Sequence, residues 1–312
     1  MPLDPYAQRF LRALAASSSI PGMMRVDISQ RRANFQKLMS FSEADGEVNT
    51  EDRTIPGPEG PLRIRIYSPT ETAGESLPGL VYFHGGGFVA GDLDTHDAIC
   101  RALTNTIRSR MISVDYRLAP EFKFPAAVAD SYAATAWIAG NAAEFGIDPD
   151  DIAVGGDSAG GSLAALVCQL ARHSGIRLSY QLLLCPITDF SAETESHRAF
   201  ADDPLINRMI LRQDLEDYLP KDLSAAHPQI SPLRAADLSD LPPAYIHTAE
   251  FDPLRDEGRS YAERLAASGT EVHYTCHPGM IHLFYALTRI IPYSRTATKL
   301  VGDEVRARRG RR

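Results

Sequence analysis

The sequence predicts an α/β protein built on a mostly parallel sheet with helices on both faces. Three observations lead there. Short apolar runs recur without alternation at Leu80–Phe83, Met111–Val114, Ile152–Val154, Tyr180–Leu184 and Ala244–His247, and a further strand is expected at Val272–Cys276. Such runs suit strands buried on both faces. Helical patterns separate many of them, at His96–Ser109, Ala126–Ala143, Ser158–His173 and Asp256–Ser268, and alternation of this kind implies βαβ units. Finally, Leu62-Arg63-Ile64-Arg65-Ile66-Tyr67 alternates strictly, as a half-exposed strand does.

In chain order, residues 1 to about 45 read as helical, with apolar positions at Phe10, Leu11, Leu14, Phe35, Leu38 and Met39. The turn cluster Pro56-Gly57-Pro58-Glu59-Gly60-Pro61 predicts a hairpin joining Glu51–Ile55 to Leu62–Tyr67. Residues about 188–235 interrupt the strand–helix alternation. They are rich in charge and proline, with a helical pattern at Ile206, Ile210, Leu211 and Leu215, and read as an insertion. After Val272–Cys276, which we expect at a sheet edge, a last helix is expected from about His282. The final seven residues hold five arginines and are expected to be a solvated tail. The expected division is therefore residues 1–45 as a helical cap segment and 46–312 as a catalytic domain carrying a cap insertion at about 188–235.

Composition narrows the functional classes. The 312 residues carry 32 Lys+Arg against 40 Asp+Glu, a net charge of −8, which disfavours nucleic acid as a partner. Cys100, Cys168, Cys185 and Cys276 are isolated. They read as buried reduced thiols, since no pair has zinc or redox spacing. No run approaches the ~20 apolar residues of a membrane span, and Arg12 breaks the N-terminal apolar stretch, so the expectation is a soluble cytoplasmic protein.

The chemistry lies in short motifs. Gly156-Asp157-Ser158-Ala159-Gly160 is a G-x-S-x-G pattern between a buried strand and a helix. That context turns a pattern found by chance in roughly one chain in ten into a candidate nucleophile. Glycine is needed two residues either side of the serine because side chains there would strike neighbouring backbone. His84-Gly85-Gly86-Gly87 follows another buried strand. Three glycines in a row are conformationally costly, and acyl transfer supplies a reason for them: N–H donors placed for a developing oxyanion. The expected donors are Gly86, Gly87 and Ala159, with His84 bracing the loop. A serine needs a base, and the base an orienting carboxylate. Asp252 and His282 each follow a strand, in the order expected after such a serine. Among nearby acids, Asp256 and Glu257 suit the first turn of the next helix, Glu250 is a neighbour, and Asp189 also follows a strand end, but before the cap. His273 and His277 read as strand residues. A metal site of His273, His277 and His282 is disfavoured because half that segment is strand.

With these motifs together, the chain resembles the hormone-sensitive-lipase-like esterases. The resemblance spans about residues 75–290. It rests on His84-Gly85-Gly86-Gly87-Phe88, Asp115-Tyr116-Arg117-Leu118-Ala119-Pro120-Glu121, Gly156-Asp157-Ser158-Ala159-Gly160-Gly161, Asp252-Pro253-Leu254-Arg255-Asp256-Glu257-Gly258 and Gly279-Met280-Ile281-His282. It implies an α/β-hydrolase fold with a mostly parallel eight-stranded sheet, flanking helices and a helical cap. It also implies Ser158 as nucleophile, Asp252 as acid and His282 as base. The implied activity is a carboxylesterase acting on short- to medium-chain esters, with no metal or organic cofactor, as a monomer or homodimer. Phe88, Leu205, Ile206, Met209, Ile281 and Leu283 are expected to contact substrate. Leu283-Phe284 departs from the Gly-Phe common in the family and is expected to reshape the acyl pocket. Amides, lactones and acetylated sugars share the same chemistry. Non-catalytic binders on this fold lack the histidine that stands here at His282.

Overall fold

A computed structural model describes residues 1–16, 27–44, 46–70, 72 and 75–309. The hairpin is longer than expected, with β1 at Val48–Gly57 and β2 at Gly60–Pro69. The remaining strands are β3 (Leu77–Phe83), β4 (Arg110–Val114), β5 (Ile147–Asp157), β6 (Gln181–Leu184), β7 (Ala244–Phe251) and β8 (Val272–Ile281). They form one eight-stranded sheet in the order β1-β2-β4-β3-β5-β6-β7-β8. β1, β2 and β4 pair antiparallel; β4 through β8 are parallel. The expected edge segment, now β8, lies at one end.

The helices are α1 (Pro5–Ala16), α2 (Ile28–Met39), α3 (Asp97–Ile107), α4 (Ala126–Gly140), α5 (Ala159–Ala171), α6 (Glu195–Ala199), α7 (Arg208–Tyr218), α8 (Arg255–Ala267) and α9 (Tyr293–Arg309). Two cores explain the unbroken apolar runs. Val81, Phe83, Ile112, Val154, Leu183 and Ile246 join the core containing residues of α4, α5 and α8. Their neighbours Leu80, Tyr82, Met111, Ala153, Leu182 and Tyr245 join the opposite core, with Leu103 of α3 and Val301 of α9. Successive side chains on a strand point to opposite faces, so burial on both faces removes alternation.

Three expectations are corrected. The last helix starts at Tyr293, not near His282; residues 282–292 hold a turn and a short 3₁₀ segment, Phe284–Ala286. The arginine-rich end is helical through Arg309, and the Arg308 guanidinium donates to the Ser179 carbonyl. An anchored carbonyl and a helix beginning upstream outweigh the charge run; residues 310–312 lie outside the described residues. Cys276 is only partly buried, because it sits on the edge strand, whereas the other three cysteines are buried.

Candidate active site

The carboxyl ends of β5, β7 and β8 meet at one place. Ser158 sits in the bend between β5 and α5 with φ +52°, a conformation few non-glycine residues adopt. Its N–H is held by the Leu184 carbonyl at 2.9 Å. A Cβ at Gly156 would strike the Gly160 backbone, and one at Gly160 would strike the Phe83 carbonyl. These contacts are the steric reason for both glycines. Asp252 directly follows β7 and His282 directly follows β8. His282 Nε2 lies 3.1 Å from Ser158 Oγ, and His282 Nδ1 lies 2.8 Å from Asp252 Oδ2. The carboxylate can only accept, so Nδ1 carries the proton and Nε2 is free to accept from the serine. The Leu254 N–H donates to the other Asp252 oxygen at 2.8 Å, fixing the carboxylate. All three side chains are buried. Burial alone would push the His282 pKa down. The charge of Asp252 and its hydrogen bond outweigh burial and raise it.

The glycine loop lies beside Ser158. Gly86 has φ +122°, and its carbonyl accepts from Val89 N at 3.1 Å and Ala90 N at 2.9 Å. A Cβ there would collide with the Ala90 carbonyl, so only glycine closes this turn. Ala159 is the first residue of α5, whose N–H has no partner within the helix. His84 is buried, stacked on Tyr116 at 4.2 Å, with Nδ1 2.8 Å from the Gly85 carbonyl. Burial, with His96 nearby, pushes its pKa down to about 4. It stays neutral and braces the loop, as expected. Tyr116 adds a hydrogen bond to the His84 carbonyl at 2.7 Å.

Ser158, His282, Gly86 and Gly87 line a cavity of about 160 Å³. Its walls come from α1 and α2 (Leu14, Arg31, Asn34, Phe35, Leu38), from residues 205–214 and from Leu283. Four of the six expected pocket residues, Leu205, Ile206, Met209 and Leu283, are in this lining. Phe88 and Ile281 are not. Phe88 is buried against Tyr218, ring to ring at 4.0 Å, and Ile281 belongs to the opposite core. Each follows a motif residue in sequence, but its backbone turns the side chain away from the cavity.

Residues outside the sequence motifs also shape the site. Arg31 of α2 pairs with Asp214 and Asp217 of α7, joining the two wall segments over the cavity. Arg32 grips Glu121 through two bonds and donates to the Val89 carbonyl at 2.9 Å. The only sequence signal was an unassigned basic pair on a weakly apolar helix. The competing acids and bases are otherwise engaged. Glu250 accepts from Gly279 N, Asp256 from Ser196 N, Glu257 from Thr188 N, and Asp189 pairs with Arg234. His273 pairs with Glu271 at the exposed edge, while His277 bonds Tyr285 and His247. With His282 bonded to Asp252, the three histidines do not converge.

The family model described as the alpha/beta hydrolase fold matches residues 80–286. This chain belongs to the α/β-hydrolase fold family. Its relatives within that family include the carboxylic ester hydrolase LipN of Mycobacterium tuberculosis, 45% identical over 83% of this chain and 70% of the relative. Another is an arylesterase of Saccharolobus solfataricus, 36% identical over 97% of both. Among solved α/β-hydrolase structures, an ester hydrolase from the Lake Arreo metagenome, complexed with a bipyridine phosphonate derivative, superposes with a TM-score of 0.94. It is 39% identical over 99% of both chains. An esterase of the archaeon Pyrobaculum calidifontis superposes at 0.90, with the same identity. Among the described residues, no helix of this α/β hydrolase is long and apolar enough to cross a membrane.

Proposed function

We infer that Ser158, His282 and Asp252 are the nucleophile, base and orienting acid of a carboxylic ester hydrolase. The observation that carries this reading is the continuous chain from Ser158 Oγ through His282 to Asp252 at the edge of a cavity, in a fold whose relatives are esterases. His282 takes the Ser158 proton as the oxygen attacks the ester carbonyl. Asp252 holds the ring in the required tautomer and stabilises the imidazolium. The oxyanion forms against the N–H groups of Gly86, Gly87 and Ala159, each worth about 10²–10³ in turnover. The alcohol leaves with the proton from His282, and water then repeats the sequence to release the acid.

Residues 1–45 and the 188–235 insertion act as a cap, because both supply walls to the cavity and Arg31 joins them. The substrate is an uncharged ester with a short to medium acyl chain. Its wall is mostly apolar, and a volume of about 160 Å³ matches the roughly 150 Å³ that admits a benzene-sized group. The reduced cysteines support a cytoplasmic location, and the unpaired β8 edge leaves room for a homodimer. The test is hydrolysis of p-nitrophenyl esters of graded length, with anilides and lactones alongside. Activity should peak on short to medium esters and vanish in Ser158→Ala. Retained activity in that variant would sink the assignment.

A further inference from the structure

Behind the base stands a residue that the mechanism does not use. Cys185 follows β6, the neighbour of β7, which delivers Asp252; β8, which delivers His282, lies on the far side of β7. One donor atom each of Cys185, Asp252 and His282 lies within 4.8 Å of the others, and all three residues are buried. We propose that these three side chains form a latent site for a thiophilic divalent cation, zinc above all, and that its occupancy blocks the base.

Sulfur, imidazole nitrogen and carboxylate oxygen are the donor types zinc takes. Bond lengths of about 2.3 Å to sulfur and 2.0–2.2 Å to nitrogen or oxygen require the donors, now within 4.8 Å of one another, to adjust modestly, with the 2.8 Å contact between His282 Nδ1 and Asp252 Oδ2 opening to admit the ion. The thiol's position is imposed by the fold. Cys185 holds φ +44°, and its N–H is pinned to the His247 carbonyl at 2.7 Å. A non-glycine residue stays in such a conformation only where its surroundings over-determine it.

At rest the buried thiol stands beside the Asp252 carboxylate. A dication offsets the two anions it gathers there. On binding, Cys185 releases its proton to solvent and its sulfur lone pair bonds the metal. The Asp252 carboxylate exchanges its hydrogen bond to His282 for the metal. His282 turns its Nδ1 lone pair to the cation, so the imidazole proton moves to Nε2. An imidazole protonated at Nε2 and metallated at Nδ1 cannot take the Ser158 proton. His282 lines the substrate cavity, and this is the route by which the cation arrives.

The inhibitory half of the proposal rests on the catalytic reading above, while the binding half does not, and the experiment separates them. Cadmium chloride is titrated into the wild-type chain, Cys185→Ser, Cys185→Ala and, as a control, Cys276→Ser, following the sulfur-to-cadmium charge-transfer band. In parallel, zinc chloride is titrated against p-nitrophenyl ester hydrolysis, with EDTA added to reverse it. We expect one equivalent of band in wild type and Cys276→Ser and none in either Cys185 variant. The zinc midpoint, measured against each variant's own rate, should rise at least about tenfold in the Cys185 variants, since losing even an outer-shell partner costs 10–100-fold. Should Cys185→Ala fail to fold, the near-isosteric Cys185→Ser carries the comparison. An unchanged band or midpoint in the Cys185 variants, or no band in wild type, overturns the site. A band without inhibition overturns the block on the base. A wild-type chain that binds cadmium but hydrolyses no ester counts against the catalytic reading instead.

Discussion

Asp157 Oδ1 accepts the Gly85 N–H at 3.1 Å, so the residue just before Ser158 grips the first glycine of the loop that carries Gly86 and Gly87. Tyr82 OH donates to the same oxygen at 2.7 Å, and His96 Nε2 lies 3.4 Å from Oδ2. Burial works against the charge of Asp157, but His96 and these hydrogen bonds outweigh it and hold its carboxyl below the usual range. The carboxylate therefore stays ionised and couples the serine bend to the glycine loop. Asp157→Asn keeps the shape and removes the charge. Hydrogen bonds to charged groups are worth about 1.5–3 kcal/mol, so kcat should fall by roughly 10- to 100-fold with KM little changed. Steady-state kinetics checks this, and an unchanged kcat would remove Asp157 from the positioning of the loop.

The rate should depend on pH through His282. Its pKa lies above the ordinary imidazole value of about 6.5, because the Asp252 interactions outweigh burial. A base must be unprotonated to accept the serine proton, so kcat/KM should fall on the acid side with a midpoint above that value. Asp252→Asn removes the charge that raises it, so the midpoint should move down as the rate drops. A pH–rate profile of both proteins reads this directly.

Stability should fall in acid because of two other histidines. Burial, with His247 beside it, pushes the His277 pKa down to about 3, and His84 is held at about 4. The unfolded chain binds these protons near pH 6.5 and the folded chain only far lower. The stabilisation is therefore complete above about 6.5 and is lost progressively as pH falls from there to the folded values of about 4 and 3. At pH 5 the loss should be on the order of 1–2 kcal/mol for each histidine. Urea midpoints at pH 7, 6 and 5 measure it. His277→Gln, which has no such proton to bind, should flatten the slope, and an equally steep slope in that variant would contradict this origin.

Leu283 adopts φ +59° and lines the cavity next to His282. A left-handed conformation costs an L-residue about 1–2 kcal/mol, while glycine there costs about 0.5–1 kcal/mol in unfolded-state entropy. Leu283→Gly should leave stability within about 1 kcal/mol while opening the acyl side. The esterase chain-length optimum should move to longer acyl groups, with activity on the shortest ester reduced. A profile identical to wild type would mean that this side chain does not bound the acyl chain.

Much of the molecule was legible without coordinates. The β3, β5, β6 and β7 segments read as strands because they are buried on both faces, and burial on two faces leaves a local mark. Ser158, Asp252 and His282 were legible because each sits at a strand's end with a neighbour constraint, glycine or proline, that sequence displays. The start of α9 was not legible. The apolar residues after His282 fill a turn and a 3₁₀ segment, and buried apolar character looks the same in either.

By itself, the sequence determined the strand–helix alternation, the glycine positions and the order of serine, acid and histidine, since these follow from local sterics and from short-range burial patterns. Only the tertiary structure decided which side chains reach the cavity. It turned Phe88 and Ile281 into core, brought Arg31 of α2 against Asp214 of α7, and set Cys185 beside Asp252 and His282. The physical reason is distance along the chain. Contacts between residues so far apart in sequence depend on how the sheet twists and how the helices dock, and no local pattern encodes that geometry.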